Sequence, residues 1–115
     1  MANPEAPDRK VERTLLVDSG ATYSVLPLET WKALGLAGDE EITLTLADGR
    51  SVSRSLSEAR FELQGKRRTS PVILGEGDDV GLLGAVTLET LGFVLDPLSR
   101  QLRPIRTLIA ATRGG

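Results

Sequence analysis

Asp18, Ser19 and Gly20 follow the apolar run Leu15-Leu16-Val17 and precede Ala21, and they are the residues of this chain best suited by type and spacing to chemistry. An apolar strand ending in a carboxylate sets an acid or base where core meets solvent. A glycine two positions on lets the backbone turn sharply and approach a ligand closely. Ser19 can hydrogen-bond across such a turn and fix its shape. Asp-Ser-Gly is also a common loop tripeptide that can end a strand and do nothing more. Asp18 is therefore a candidate catalytic residue whose chemistry the rest of the chain must narrow.

Composition removes most alternatives. The chain has 115 residues, no histidine and no cysteine. Ser-His-Asp and Cys-His catalysis, thiolate metal sites and most zinc sites are thereby excluded, as is any disulfide framework. A hydrolase built from this sequence has to use carboxylates, and no metal or cofactor is expected. A net charge of -2 and 3% aromatic residues give no footprint for nucleic acid. Residues Asn3, Pro4, Glu5, Pro7 and Asp8 form no apolar signal-peptide core, and no run is long enough to span a bilayer, so cytoplasm is the expected location and no membrane partner is expected. One domain of this length buries a core but not a deep two-lobed cleft, so a large active site would have to be shared.

The elements that must position Asp18 follow from periodicity and turn chemistry. Met1 to Lys10 are polar and proline-rich and read as a loop or frayed arm, followed by a strand from near Val11 to Asp18. Tyr23 to Leu26 is a short strand. Pro27 opens a helix with Leu28, Trp31, Lys32 and Leu34 at helical spacing, and Gly35 ends it; Trp31 is expected at the core edge. Ile42, Leu44 and Leu46 alternate with Thr43 and Thr45, the period of a half-buried strand, and Asp48-Gly49 suits a tight hairpin. The return strand, through Val52 and Leu56 toward Ala59, Phe61 and Leu63, is long enough for the hairpin to project beyond the body of the domain. It is then either an exposed decoration or a lid that closes on a ligand.

Gly65-Lys66-Arg67-Arg68 reads as a solvated basic turn, Ser70 to Leu74 as a buried strand, and Gly75 to Asp79 as a plain surface connection. Val80-Gly81-Leu82-Leu83-Gly84 is a second apolar run, with a short helix from Ala85 to Leu91 behind it, stopped by Gly92. Phe93 to Leu95 is a further strand, with Asp96-Pro97 as its turn. Leu102 to Ile109 is mostly extended and invites pairing, with another subunit as one partner. Seven or eight short strands and two short helices make a small, mainly β, barrel-like fold.

Leu15-Leu16-Val17-Asp18-Ser19-Gly20-Ala21, the Asp48-Gly49 hairpin, and Leu82-Leu83-Gly84 followed by a helix stand in order. From Val11 to Pro104 this sequence resembles the retropepsin-like aspartic proteases, most of all their bacterial and archaeal branch. The resemblance implies a closed barrel of short strands with a flap hairpin, and a homodimer in which each chain donates one catalytic aspartate, here Asp18. It implies an active-site loop of Ser19, Gly20 and Ala21, with the Ser19 hydroxyl gripping the partner's loop. A flap of Ala47, Asp48, Gly49 and Arg50 would cover a peptide or protein substrate, and Leu82, Leu83 and Gly84 would pack beneath the active loop. Residues 1–10 would then be a flexible arm, 11–106 the protease domain, and 107–115 an interface segment and loose tail, with Leu108 joining an intersubunit sheet.

Elementary physics agrees. A two-fold axis duplicates Asp18 without further sequence, and two carboxylates within hydrogen-bonding range share one proton, one serving as base and the other as acid. Three features depart from the family pattern. Residues 1–10 do not read as the strand that usually precedes the catalytic one. Thr22 and Ala85-Val86 stand where retroviral relatives carry an acid–arginine pair. The flap tip, Leu46 to Arg50, is poorer in glycine, so Asp48 and Arg50 are expected to select charged or polar substrates. The alternative reading is a non-catalytic dimerisation or peptide-binding module of the same fold; a glycosidase is disfavoured by the lack of sugar-stacking aromatics.

Overall fold

The computed structural model describes residues 1–105. In chain order the elements are β1 (Ala2–Asn3), β2 (Ala6–Lys10), β3 (Leu16–Val17), β4 (Ser24–Leu26), α1 (Leu28–Leu34), β5 (Glu40–Thr45), β6 (Ser51–Leu63), β7 (Lys66–Leu74), β8 (Leu82–Leu83), α2 (Ala85–Leu91), β9 (Phe93–Leu95) and β10 (Leu102–Pro104). The fold is mainly β with two short helices, as the periodicities predict. Both helices fall where Pro27 and Gly84 open them and where Gly35 and Gly92 end them.

The main sheet runs β2-β1-β6-β7-β4-β8-β3, with β5 added to β6, and β9 and β10 form a separate pair. β6 organises it, because its thirteen residues pair with β5 from Ser51 to Leu56 and with β7 from Ser55 to Leu63. From Ile42↔Arg54 outward to Thr45↔Ser51 the β5–β6 hairpin has no third strand beside it, so it projects past the end of β7 as expected.

The core lies between the sheet and the helices. Ala59, Phe61, Val72 and Leu74 of the two long strands meet Leu26, Leu34, Leu83, Leu88, Leu91 and Phe93. Alternation along β6 sends Ser57, Ala59 and Phe61 inward while Glu58, Arg60 and Glu62 face out. Each fully buried leucine contributes about 1.5–3 kcal/mol. Trp31 packs at the edge of this cluster, and its Nε1–H donates to the Gly75 carbonyl at 2.8 Å.

Three expectations are corrected. Residues 1–10 are not a frayed arm: β1 and β2 form a hairpin that joins the sheet through Ala2↔Arg60. Pro7 is accommodated because β2 is an edge strand, where one missing N–H breaks no ladder. The closed barrel is not detected: among the described residues the sheet path ends at β2 and β3, which do not pair. The strand expected from Val11 shrinks to Leu16–Val17, leaving too little chain in ladder geometry to close the circle. The pairing expected of the segment that begins at Leu102 is found over Leu102–Pro104, with β9 of its own chain as the partner. The interface segment 107–115, with Leu108, lies outside the described residues. Among the described residues no helix is long and apolar enough to cross a membrane.

Candidate active site

Val17 and Leu83 bring the two sequence landmarks together. β3 and β8 run parallel in the register Leu16↔Leu82 and Val17↔Leu83. Leu16 N donates to Gly81 O at 3.2 Å and Asp18 N to Leu83 O at 3.0 Å, so Asp18 is the last residue held by the ladder. The chain then turns: Ala21 N bonds the Asp18 carbonyl at 3.1 Å, and Gly20 N donates to Asp18 Oδ1 at 2.9 Å. One carboxylate oxygen is thereby fixed by the turn, and Oδ2 takes no hydrogen bond among the described residues. Asp18 is half-buried, whereas Ser19 and Gly20 are exposed. The carboxylate itself closes the turn that Ser19 was expected to brace.

Behind the loop is a buried set of hydroxyls. Gly84 N donates to Ser24 Oγ at 2.9 Å, Ser24 Oγ lies 2.6 Å from Thr87 Oγ1, and Thr87 Oγ1 lies 2.8 Å from Ser70 Oγ. All three side chains are essentially inaccessible. This set locks β4, β7 and the start of α2 together, which fixes Gly84 against the Tyr23–Ser24 backbone. The Ala21 and Thr22 carbonyls accept from Ala85 N at 2.8 Å and Val86 N at 3.0 Å. Backbone hydrogen bonds thus join the segments around Thr22 and Ala85-Val86, where no acid–arginine pair stands. The inward hydroxyls were legible only as polar residues on apolar faces: Thr87 beside Leu88 on α2, and Ser24 two residues from Leu26 on β4.

Ala47, Asp48, Gly49 and Arg50 form the exposed tip of the β5–β6 hairpin. Gly49 has φ of 87°, the left-handed conformation that the tight turn demands. Leu46 N and Gly49 N close the tip on Arg50 O and Leu46 O. Arg50 binds its neighbour, with Nε 2.7 Å from Asp48 Oδ2 and its backbone N–H donating to Asp48 Oδ1. These bonds, the backbone one foremost, hold the Asp48 carboxyl below its ordinary range. Among the described residues the tip makes no hydrogen bond to the Asp18 loop. The structure therefore unites Asp18 to Ala21 with Leu82 to Gly84, and holds Ala47 to Arg50 on a separate projection.

Gly75 to Asp79 is more than a surface connection. Arg54 Nε and Nη2 donate to Asp79 Oδ2 and Oδ1 at 2.8 and 3.3 Å, and Asp79 Oδ2 also accepts from Glu76 N at 2.8 Å. The Arg54 guanidinium is the leading cause holding the Asp79 carboxyl below its usual value. At the other end of the chain's turns, Asp96 accepts from Leu98 N at 2.9 Å and Arg103 Nε at 2.7 Å, which fits its reading as a turn residue.

A cavity of about 770 Å³ opens beneath the β1–β2 hairpin, lined by Val17, Leu83, Phe61 and Leu102 among others, and Asp18 is not in its wall. Among the described residues no group of three or more potential ligands is placed to hold a metal. The chain thus presents the Asp18 carboxylate, fixed by its turn, at an exposed loop.

A search of curated proteins found no match. The family model for aspartyl protease matches residues 8–87, which takes in the Asp18 turn, the β5–β6 hairpin, β8 and the first turn of α2. With more than half of its length matched, the chain belongs to the aspartyl protease family of the retropepsin-like clan.

Proposed function

We propose that the protein is an aspartic endopeptidase whose site is completed by a second copy of the chain, each copy supplying one Asp18. The observation that carries this reading is the presentation of Asp18. Its backbone is tied to Leu83, one oxygen is bound by Gly20 N–H, and the other takes no hydrogen bond among the described residues. A two-fold axis passing beside that turn sets two such carboxylates face to face.

Two carboxylates at hydrogen-bond distance hold one proton between them, because both cannot ionise cheaply. The ionised Asp18 takes a proton from a water, and the oxygen of that water attacks the peptide carbonyl carbon. The protonated Asp18 donates toward the carbonyl oxygen. Collapse of the tetrahedral species then passes a proton to the leaving nitrogen and breaks the C–N bond. Activity should be bell-shaped in pH and centred on the acid side of neutral, since the pair titrates as a unit.

In this reading the β5–β6 hairpin is the flap, and Ala47 to Arg50 touch the substrate. Leu82, Leu83 and Gly84 support the active loop from below, and Ser19 and Ala21 face the second copy. The test is cleavage of casein and a peptide library from acid to neutral pH, with dimerisation followed by analytical ultracentrifugation. Asp18→Asn should lose about 10²-fold or more in activity while remaining dimeric. A confirmed dimer that cleaves nothing at any acidic pH assigns the fold to a peptide-binding module instead.

A further inference from the structure

We infer that Arg54 is a positioning residue that sets the flap through its ion pair with Asp79, fastening the hairpin's hinge to the loop that leads into the strand beneath Asp18. The inference rests on the protease reading for its functional meaning, though not for its test.

Register places Arg54 at the hinge. Ser55↔Leu74 is the last pair between β6 and β7, and Ile42↔Arg54 is the first pair of the hairpin with no third strand alongside. Backbone support thus halves at this residue. A single side chain takes over there: two guanidinium nitrogens bind Asp79, and a third stands 3.8 Å from Glu76 while donating to Ser53 O at 2.9 Å.

Burial separates this pair from the one at the flap tip. The Arg54 and Asp79 side chains are 18% and 32% exposed, against 72% and 54% for Arg50 and Asp48. An exposed pair is screened and contributes little, whereas a fork-on-carboxylate pair withdrawn from solvent fixes geometry.

The receiving loop is itself anchored at both ends. Gly75 N bonds Leu26 O at 2.8 Å, Trp31 Nε1 bonds Gly75 O, and Gly81 O accepts from Leu16 N. From Gly81 the chain enters β8, whose Leu83 carbonyl holds Asp18 N. An unbroken path of hydrogen bonds and short backbone therefore runs from flap hinge to catalytic loop, and Arg54–Asp79 is its one link between side chains.

The test is hydrogen exchange on the full chain at neutral pH, comparing wild type with Asp79→Asn and Arg54→Lys. Asp79→Asn keeps the side chain's shape, and Arg54→Lys keeps charge but loses the two-nitrogen fork. We expect exchange across residues 40–54 to rise about tenfold in Asp79→Asn and less in Arg54→Lys, with residues 57–74 rising only by the smaller factor that the loss of global stability sets. Peptide KM should rise with kcat held within about twofold, the signature of weakened substrate closure. Unchanged exchange at 40–54, or an equal rise at 57–74, overturns the inference. The exchange result needs no turnover, so it judges the hinge alone, while loss of turnover in Asp18→Asn judges the protease reading.

Discussion

A Cβ on Gly84 would stand 2.5 Å from the carbonyl carbon of Tyr23 and 2.9 Å from Ser24 N, so these two stretches touch backbone to backbone. The neighbours are main chain and cannot swing aside. Gly84→Ala should cost about 1–3 kcal/mol, the usual penalty of overpacking, and should move the Asp18 loop because Ala85 and Val86 bond Ala21 and Thr22 next to it. Urea denaturation measures the first effect and peptide turnover the second. A variant of wild-type stability would show that the two segments part without strain.

Thr87 is the hub of the hydroxyl set and is fully buried. Thr87→Val keeps its shape and removes its oxygen, leaving Ser24 and Ser70 each short of a partner. Stability should fall by about 1–3 kcal/mol. The urea midpoint should drop with an unchanged slope, because the surface exposed on unfolding is the same. Thr87→Ser, which restores the oxygen, should recover most of the loss.

Much of this architecture was legible locally. Pro27 and Gly35, and Gly84 and Gly92, bracket the two helices, and alternation around Asp48-Gly49 marks the hairpin. What escaped the sequence is long-range. Pro4 and Pro7 read as loop because nothing nearby shows that Ala2 will pair with Arg60. Arg54 and Asp79 are ordinary charges until a register 25 residues apart brings them together. The barrel was expected from strand number, but closure depends on pairing between the ends of the sheet, and two-residue β3 does not reach β2.

The Arg54–Asp79 pair also predicts a pH dependence. The Arg54 hydrogen bond first, then the Glu76 N–H, holds the Asp79 carboxyl below its ordinary 3.8, against burial, which pushes it up; Glu76 is the other acid near the guanidinium. A carboxyl depressed in the folded state adds stability that is complete above its unfolded value and is lost as pH falls through the folded one. Asp79→Asn should therefore be less stable than wild type at pH 7, and the gap should narrow below pH 3.8. Urea midpoints at pH 7 and about pH 2.5 decide it. A constant gap would mean that the charge contributes nothing.

At the tip of the β5–β6 hairpin the Arg50 cation is neutralised by Asp48. Arg50→Ala leaves the carboxylate alone, so cleavage should shift toward peptides carrying lysine or arginine, and away from acidic ones, as salt concentration is lowered. Thermal stability should hardly change, because the pair is exposed. Peptide-library profiles of the two proteins, compared at low and high salt, test this directly. Identical profiles would remove the tip from substrate selection.

The proposed sharing of the site makes a quantitative demand. If each dimer needs two copies of Asp18, a chain carrying Asp18→Asn poisons any wild-type chain it pairs with. With random exchange of subunits, the active fraction of dimers goes as the square of the wild-type fraction, so an equal mixture should keep about one quarter of the activity of the same amount of wild type. A chain that held a complete site would keep about half, in direct proportion. Titrating the variant into wild type at fixed total protein, above the dissociation constant of the dimer, traces a parabola in one case and a straight line in the other. The parabola follows from Asp18 taking one hydrogen bond to its carboxylate among the described residues, from Gly20 N–H, and meeting its catalytic partner only in a second copy.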